Sequence, residues 1–364
     1  MTDLIELLRS AGLTGRGGAG FPTDRKLRLA RDHGAELIVN ACDGEVGAEK
    51  DGWIVRNHLP ELIDGARLIA GDRFRVAAHR GSDTLRVLSA AAVPTLVVPN
   101  RYVSSEASAL ASLAAGGTAR PLMRFAPTAT GAHRADGTTI PPTVVLNAET
   151  VWRAAQITRF GPGWFRGCGT VTEPGPRLIT IGGSVQRPGV HEVAAGIPII
   201  ELIRIAGGTT ARPSVLWFNG LSGGFLTAQE AIDLPWSSHA LAPYGVGIGS
   251  ASVRVLDGRT DPWRLVLDTV TYAAGESAGQ CGPCMFGLPA VVDDLTTILD
   301  GNADRAVRER FSRRLGVLPG RGACRHPDGV ASFLRSALRT FGASLGPDVG
   351  DDLALPAHRH EVVR

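Results

Sequence analysis

A chain of 364 residues with 44% hydrophobic and 20% charged positions has the length of two to three ordinary domains and enough apolar material to pack them, which excludes wholesale disorder. Forty-six glycines and 23 prolines place much of the chain in turns and special backbone positions, which excludes a coiled coil or plain helical bundle. The formal net charge is +3, and no basic stripe is interleaved with aromatics, so no nucleic-acid partner is expected and small molecules or proteins are the expected ones.

In chain order, Asp3 to Ser10 reads as an amphipathic, acidic helix rather than a signal peptide. Gly12 to Thr23 is a glycine-rich loop, Asp24 to Asp32 a second helix, Glu36 to Asn40 a buried strand and Leu59 to Ala70 a helix. Arg73 to Ala78, Thr84 to Ala91 and Thr95 to Val98 form a strand, helix, strand unit with parallel pairing, the mark of an α/β layer. The most apolar run, Val87 to Val98, is interrupted by Pro94 and too short for a bilayer, so a chain that does not itself span a membrane is expected. Ser104 to Ala114 reads as a helix with a Ser cap, and Ala148 to Gln156 as a helix after the strand Thr143 to Leu146. The Gly- and Pro-dense stretch Phe160 to Arg177 has the composition of a boundary or long functional loop. Beyond it, Arg177 to Ile181, Gly189 to Val193 and Val215 to Phe218 are short strands around the helix Pro198 to Ala206, which ends in Gly207 and Gly208. From Trp263 the pattern turns helical, with candidates at Leu288 to Leu299, Ala303 to Leu315 and Gly329 to Phe341, and a polar tail from Gly346.

Three segments carry chemistry. GLTGRGGAGFPT, residues 12 to 23, sets Gly15, Gly17, Gly18 and Gly20 ahead of a helix, where flexible backbone and free amides suit a phosphate, with Arg16 and Lys26 as charged neighbours. VNACDGEVGAEKD, residues 39 to 51, follows a buried strand, so Asn40, Asp43 and Glu45 project from the carboxyl end of a sheet, where open α/β folds bind ligands. Only two lysines, Lys26 and Lys50, stand against thirty-six arginines, and both fall in these two segments. ESAGQCGPCMFG, residues 276 to 287, holds Cys281 and Cys284, and Cys324 follows in GRGACRHPDG. Five cysteines, the others being Cys42 and Cys168, are an odd number without an export signal, which favours a reducing cytoplasm and a metal or redox role. Thiolates select soft metals, so an iron-sulfur cluster and zinc both stay open, with His326 as a further candidate ligand.

These strings, with PTVVLNAET, IGGSVQRPGV and LSGGFL, resemble the F subunit of bacterial respiratory complex I (NADH:quinone oxidoreductase) and its relatives in NAD-reducing hydrogenases and formate dehydrogenases, in order from about residue 3 to residue 340. The resemblance implies an α/β FMN-binding domain over residues 1–160, a small α+β β-grasp (SLBB-like) domain over 171–255, a helical domain with a [4Fe-4S] cluster over 262–345, and a tail over 346–364. It implies that Gly15, Arg16, Gly17, Gly18, Gly20 and Lys26 cradle the FMN phosphate and that Asn40, Asp43 and Glu45 line the isoalloxazine and nicotinamide side. Glu106, Asn147 and Thr150 match further family motif positions, and Cys281, Cys284 and Cys324 match three of the four cluster ligands.

The sequence departs from the family at Ala278, where the motif has its first cysteine, and at Cys42, Ser105, Ala107 and Leu27 near the flavin and nicotinamide side. The implied activity is electron transfer between FMN and an iron-sulfur cluster, with the cofactors rather than acid or base side chains carrying the chemistry. NADH and a redox partner protein, ferredoxin-like or a membrane redox subunit, both stay open as donor or acceptor. The implied location is cytoplasmic, with membrane association through a partner. Two alternatives stand beside this reading: a cofactor-poor scaffold homologue, and a zinc module built on the C-terminal cysteines.

Overall fold

The computed structural model describes residues 3–123, 126–133 and 139–345, so the expected tail from Gly346 lies outside the described residues. Contacts divide the chain into two compact units, Met1–Gly258 and Arg259–Arg364.

The first unit begins with α1 (Leu4–Ala11), which Asp3 caps by accepting the Ile5 amide and which buries Ile5, Leu8 and Ala11. After the glycine loop come α2 (Thr23–Asp32), β1 (Glu36–Asn40), α3 (Lys50–Asn57), α4 (Leu59–Ala70), β2 (Phe74–His79), α5 (Asp83–Ala90), β3 (Thr95–Val98) and α6 (Ala107–Ala114). A two-stranded ribbon of β4 (Ala132–His133) and β5 (Thr139–Ile140) precedes β6 (Thr143–Asn147) and α7 (Ala148–Arg166). The main sheet runs in the order β3-β2-β1-β6 with every pair parallel. Strands β1, β2 and β6 are largely buried on both faces, as parallel sheets require, while the edge strand β3 leaves Val97 exposed. Leu37, Val39, Val76, Val144 and Leu146 share one core with α1, α4 and α7, while the alternating Ile38, Ala77, Leu96, Val98 and Val145 pack with Leu110 of α6 on the other face. Complete burial of each such aliphatic side chain contributes about 1.5–3 kcal/mol.

The chain moves outward from β1 through β2 to β3 and then crosses to the other side of β1 for β6. The β1/β6 junction is therefore the topological switch point, and register pairs Asn40 with Asn147 at the carboxyl ends of the two strands.

A second sheet in the same unit has the order β10-β9-β11-β7-β8. It consists of β7 (Pro176–Gly183), β8 (Gly189–Ala194), β9 (Pro213–Phe218), β10 (Gly224–Thr227) and β11 (Ser252–Asp257), with β7 and β11 parallel and the other pairs antiparallel. Helix α8 (Ile199–Ile205) lays Ile199, Leu202 and Ile203 on this sheet against Ile179, Ile181 and Phe218, and short helices α9 (Ala228–Ala231) and α10 (Ser238–Leu241) lie in the β10 to β11 connection. The second unit contains α11 (Pro262–Gly275), α12 (Leu288–Leu299), α13 (Arg305–Val317) and α14 (His326–Phe341), with one π-helical turn at Pro283–Gly287. Its core is Val266, Val270, Val291, Leu295, Phe311, Leu315, Phe333 and Leu334. Among the described residues no helix is long and apolar enough to cross a membrane.

Several expectations change in detail. The cap expected from Ser104 is Glu106, whose carboxylate accepts the Ser108 and Ala109 amides, while the Ser104 hydroxyl donates to the carbonyls of Pro99 and Arg101. Helix α7 runs into the stretch read as a loop: the chain breaks at Gly161 (φ 86°) before Pro162, then resumes as helix because Phe165 is wholly buried there. Helix α11 lies where the pattern turns helical from Trp263, and helix α3 and strands β10 and β11 join the expected elements.

Candidate functional site

The switch point gathers three segments. The glycine loop reaches it directly, because a Cβ on Gly17 would lie 3.3 Å from the Asn147 Cβ. Asn147 caps α7 by accepting the Glu149 amide at 3.1 Å, so the positive end of a long helix and the loop meet at one place. The loop is tied down by a Gly15 amide to Phe21 carbonyl bond of 2.9 Å and an Arg16 amide to Thr150 Oγ1 bond of 2.9 Å. Gly18 and Gly20 have φ of +108° and +62°, and a Cβ on Gly20 would meet nothing within 4 Å. Among the described residues, the amides of Gly17, Gly18, Ala19 and Gly20 donate to no protein acceptor. Successive unclaimed amides on a left-handed backbone are an anion cradle, and this donor set fits the phosphate of FMN.

The side chains around the switch point form a closed network. Lys50, 2% exposed, donates to Asn147 Oδ1 at 2.7 Å and Asp51 Oδ1 at 3.0 Å and lies 3.2 Å from Glu149 Oε2. Asn147 Nδ2 donates to Asp51 Oδ2 at 2.6 Å. Burial pulls the Lys50 pKa down, but Asp51 and Glu149 outweigh it and hold the ammonium above its ordinary value. Burial would raise Glu149, yet Lys50, Arg153 and Arg16 hold it below the usual carboxylate range. Asp51 is raised, because desolvation exceeds the pull of Lys50. Asp43 sits at φ 48° and accepts the Asp51 and Gly52 amides at 2.8 and 2.7 Å, capping α3; desolvation and the neighbouring Asp51 push it to about 7.

The structure brings Asn40, Asp43, Asn147 and Thr150 to this edge and shows how each is held. Asn40 donates to the Ser105 carbonyl at 3.0 Å and accepts the Cys42 amide at 3.2 Å. Glu45 accepts the Tyr102 hydroxyl at 2.8 Å and the Leu221 amide at 2.8 Å, so the β10-side loop of the second sheet is latched onto the first. Burial raises the Glu45 pKa against the hydrogen bonds of Ser222 and Tyr102. Glu106 caps α6, and Lys26 donates to the Val145 carbonyl at 2.6 Å. The Arg16 side chain, expected beside a phosphate, turns inward: it is 3% exposed, donates to the Pro174 carbonyl at 2.8 Å and lies 5.5 Å from the Phe165 ring. Desolvation, with Arg177 nearby, lowers its pKa to about 9. Lys50, Asp51, Glu149 and Tyr102 belong to the site without standing out in the motifs; the scarcity of lysine is the signal that points to Lys50 and its partners.

In the second unit, the Cys281 and Cys284 thiols are hydrogen-bonded, and Cys324 is close enough to act on Cys284 electrostatically. Burial, then Cys281 and Cys324, push the Cys284 thiol to about 12, so metal binding has to displace its proton. Cys284 lies on the π-turn, Cys281 just before it and Cys324 two residues ahead of α14, and three thiols are by their chemistry a donor set for a soft metal cluster rather than a hard cation. Among the described residues no three His, Cys, Asp or Glu side chains are gathered closely enough for a single ion. His326 directs Nε2 to the Ala273 carbonyl at 2.9 Å, which removes that nitrogen from the zinc alternative.

Family models match along the chain in the same order: the Nuo51 FMN-binding domain over residues 8–156, the SLBB domain over 178–225, and the NADH-ubiquinone oxidoreductase-F iron-sulfur binding region over 264–346. An NADH-quinone oxidoreductase F subunit of Rhizobium meliloti is 29% identical across 94% of this chain and 87% of its own length. The corresponding F subunit of Streptomyces coelicolor is 27% identical across 93% and 81%. A chain of an NAD+-reducing [NiFe]-hydrogenase, solved in the H2-reduced state, superposes with a TM-score of 0.79 at 27% identity over 97% of this chain, which spans 62% of that longer chain. With the parallel sheet, the β-grasp sheet and the helical cysteine region all in this order, the chain carries the FMN-binding, SLBB and iron-sulfur binding domains and is similar along almost its whole length to NADH-quinone oxidoreductase F subunits.

Proposed function

We propose that the chain is an electron-transfer subunit in which FMN at the switch point and an iron-sulfur cluster on Cys281, Cys284 and Cys324 exchange electrons with NADH or a protein redox partner. When bound, the flavin supplies conversion between two-electron and one-electron chemistry and the cluster supplies a one-electron outlet. The chain's residues bind and orient. Gly15, Gly17, Gly18, Gly20 and Lys26 hold the phosphate, while Thr150 and Arg16 fix the loop that carries it. Asn40, Asp43, Glu45, Glu106 and Asn147 shape the floor and walls beneath the ring, and no side chain is assigned as a general acid or base. The observation that carries the reading is the run of unclaimed amides at Gly17 to Gly20 against the capped end of α7. The domain limits 1–160, 171–255 and 262–345 are part of this reading, as is a cytoplasmic location with membrane association through a partner.

A scaffold role is the second reading. It is favoured by one specific observation: Asn40, Asp43, Glu45, Glu106 and Asn147 all have protein hydrogen-bond partners. An anaerobic absorption spectrum before and after NADH, with dithionite as the reference, separates the readings. Flavin and cluster bands that bleach with NADH establish an NADH-linked subunit; bands that respond to dithionite alone assign a protein donor; a colourless protein supports the scaffold and refutes electron transfer.

A further inference from the structure

We infer that the cavity on the β-grasp side of the glycine loop is a binding site for a small phosphate-type oxyanion, separate from the cradle assigned to the flavin. Its volume is about 240 Å³, which suits a tetrahedral anion with a few waters rather than a nucleotide. Thr14 and Gly18 line one wall, and Thr172, Glu173, Arg177 and Ser238 line the other. The loop divides this cavity from the switch point. A Cβ on Gly17 would meet Asn147, whereas one on Gly18 would meet the Gly249 backbone at 3.5 Å, and Asn40, Asp43, Glu45 and Asn147 are not part of the cavity's walls.

The wall residue Arg177 is short of partners. It is 7% exposed, its Nε has no hydrogen-bond acceptor, and its contact with Glu173 is a loose 3.9 Å. Glu173 is committed elsewhere, because its two carboxylate oxygens accept the Ser238 amide at 2.9 Å and the Ser238 hydroxyl at 2.7 Å. A second cation lies close enough to Arg177 for the two to repel: Arg16 is anchored to the Pro174 carbonyl, next in the chain to Glu173, leaves its Nε and Nη1 without partners and forms no ion pair among the described residues. Two guanidiniums therefore share one carboxylate that is itself occupied. Unpaired guanidinium N–H groups in a buried wall are costly, and an oxyanion accepting them removes that cost. Across the cavity the Thr14 hydroxyl has no protein partner among the described residues and supplies a neutral donor. Donors on facing walls suit a tetrahedral acceptor, whose oxygens point several ways, over a planar carboxylate. A cation would meet Arg177 unfavourably, and an apolar ligand would leave its donors unpaired.

The test is calorimetric titration of the full chain with inorganic phosphate at constant ionic strength, before and after saturation with FMN, with acetate as the planar control. One phosphate per chain is expected, bound at least about tenfold more tightly than acetate and with an affinity that FMN changes by less than about threefold, since the flavin phosphate occupies the other face of the loop. R177M is expected to weaken phosphate binding at least about tenfold, and T172E, at an exposed position on the same wall, by a similar factor through charge repulsion. If R177M fails to fold, T172E compared with the neutral T172Q reads the same site. Displacement of phosphate by FMN, acetate binding as tight as phosphate, affinities that R177M and T172E leave unchanged, or no binding up to about 10 mM phosphate each overturn the inference. Because phosphate binding itself is read, a chain that takes up no flavin would refute the proposed function while the R177M and T172E titrations still decide this one.

Discussion

Replacing Lys50 by Met tests whether the buried network organises the switch point. Lys50 is 2% exposed and holds Asp51 at 3.0 Å, Asn147 at 2.7 Å and Glu149 at 3.2 Å. The Met stem fills most of the space, so the loss is chiefly electrostatic: two buried carboxylates lose their cation. Breaking a buried pair by removing one partner costs about 3–5 kcal/mol. At the size of the first unit this lowers the midpoint of thermal unfolding by ~10 °C. Urea unfolding of wild type and K50M, monitored by tryptophan fluorescence, measures the loss, with an unchanged m-value showing that the unfolded state is the same. The pH dependence adds a sign. In the wild type Glu149 is held below its ordinary value, so it stabilises the fold above about pH 4.5 and loses that contribution as pH falls through its lower folded value. Without Lys50 the buried carboxylate favours its proton, so the deficit of K50M grows as pH rises above that range and shrinks in acid. K50M/E149Q is expected to cost less than the two single changes summed. A loss below about 1 kcal/mol, independent of pH, would refute the electrostatic account.

Gly44→Ala is expected to destabilise by about 1–3 kcal/mol, because a Cβ there would lie 2.1 Å from Ser105 Oγ, and Ser105→Gly in the same chain is expected to recover most of it in a double-mutant cycle. Asp43, raised to about 7, favours the protonated folded state, so its contribution to stability declines as pH rises from about 4 to about 7; denaturation of D43N across that range is expected to show a flatter slope, whatever the cost of the altered cap. Ala278→Cys is expected to raise iron retention during aerobic purification, measured as iron per chain, whereas Cys284→Ser lowers it and Cys168→Ser, in the segment after α7, leaves it unchanged.

Much of the fold follows from local pattern. The apolar run Leu37 to Val39 announces a strand covered on both faces, and Gly207 and Gly208, at φ 84° and 86°, stop α8 where turn chemistry places them. Helix α3 was hidden because its cap lies seven residues upstream: Asp43 accepts the Asp51 and Gly52 amides only after the loop folds back. Strand β11 was hidden for a related reason, since its pairings with β9 and β7 join segments far apart in the chain, whereas β10 folds back on β9 through the short connection 219–223, a local turn that the pattern of apolar residues did not mark. At the site, the glycine loop and the two asparagines were legible as motifs. The inward turn of Arg16 was not, because it depends on the Pro174 carbonyl and the Phe165 ring, 158 and 149 positions away along the chain.

The hydrogen bonds of Glu45, Glu49 and Glu149 change what the second sheet does for the first. Glu149 Oε1 accepts the Leu178 amide at 2.7 Å, the Glu49 amide donates to Thr180 Oγ1 at 3.1 Å, and Arg153, wholly buried, reaches Glu192 at 2.7 Å. Each bond joins a residue beside the switch point to β7 or β8, and Glu45 adds the link to Leu221. Buried polar groups left without these partners would cost about 1–3 kcal/mol apiece, so the β-grasp sheet is part of what holds the floor of the site in place. Glu192→Gln therefore offers a discriminating case: half-exposed at its own end, it leaves the β-grasp core intact but weakens the hold on Arg153. If the second sheet preorganises the first, E192Q is expected to lower flavin affinity, read by quenching of FMN fluorescence, several-fold more than it lowers unfolding stability. Unchanged flavin affinity beside a measurable loss of stability would reduce these bonds to structural cross-links and return the binding geometry to the glycine loop and α7 alone.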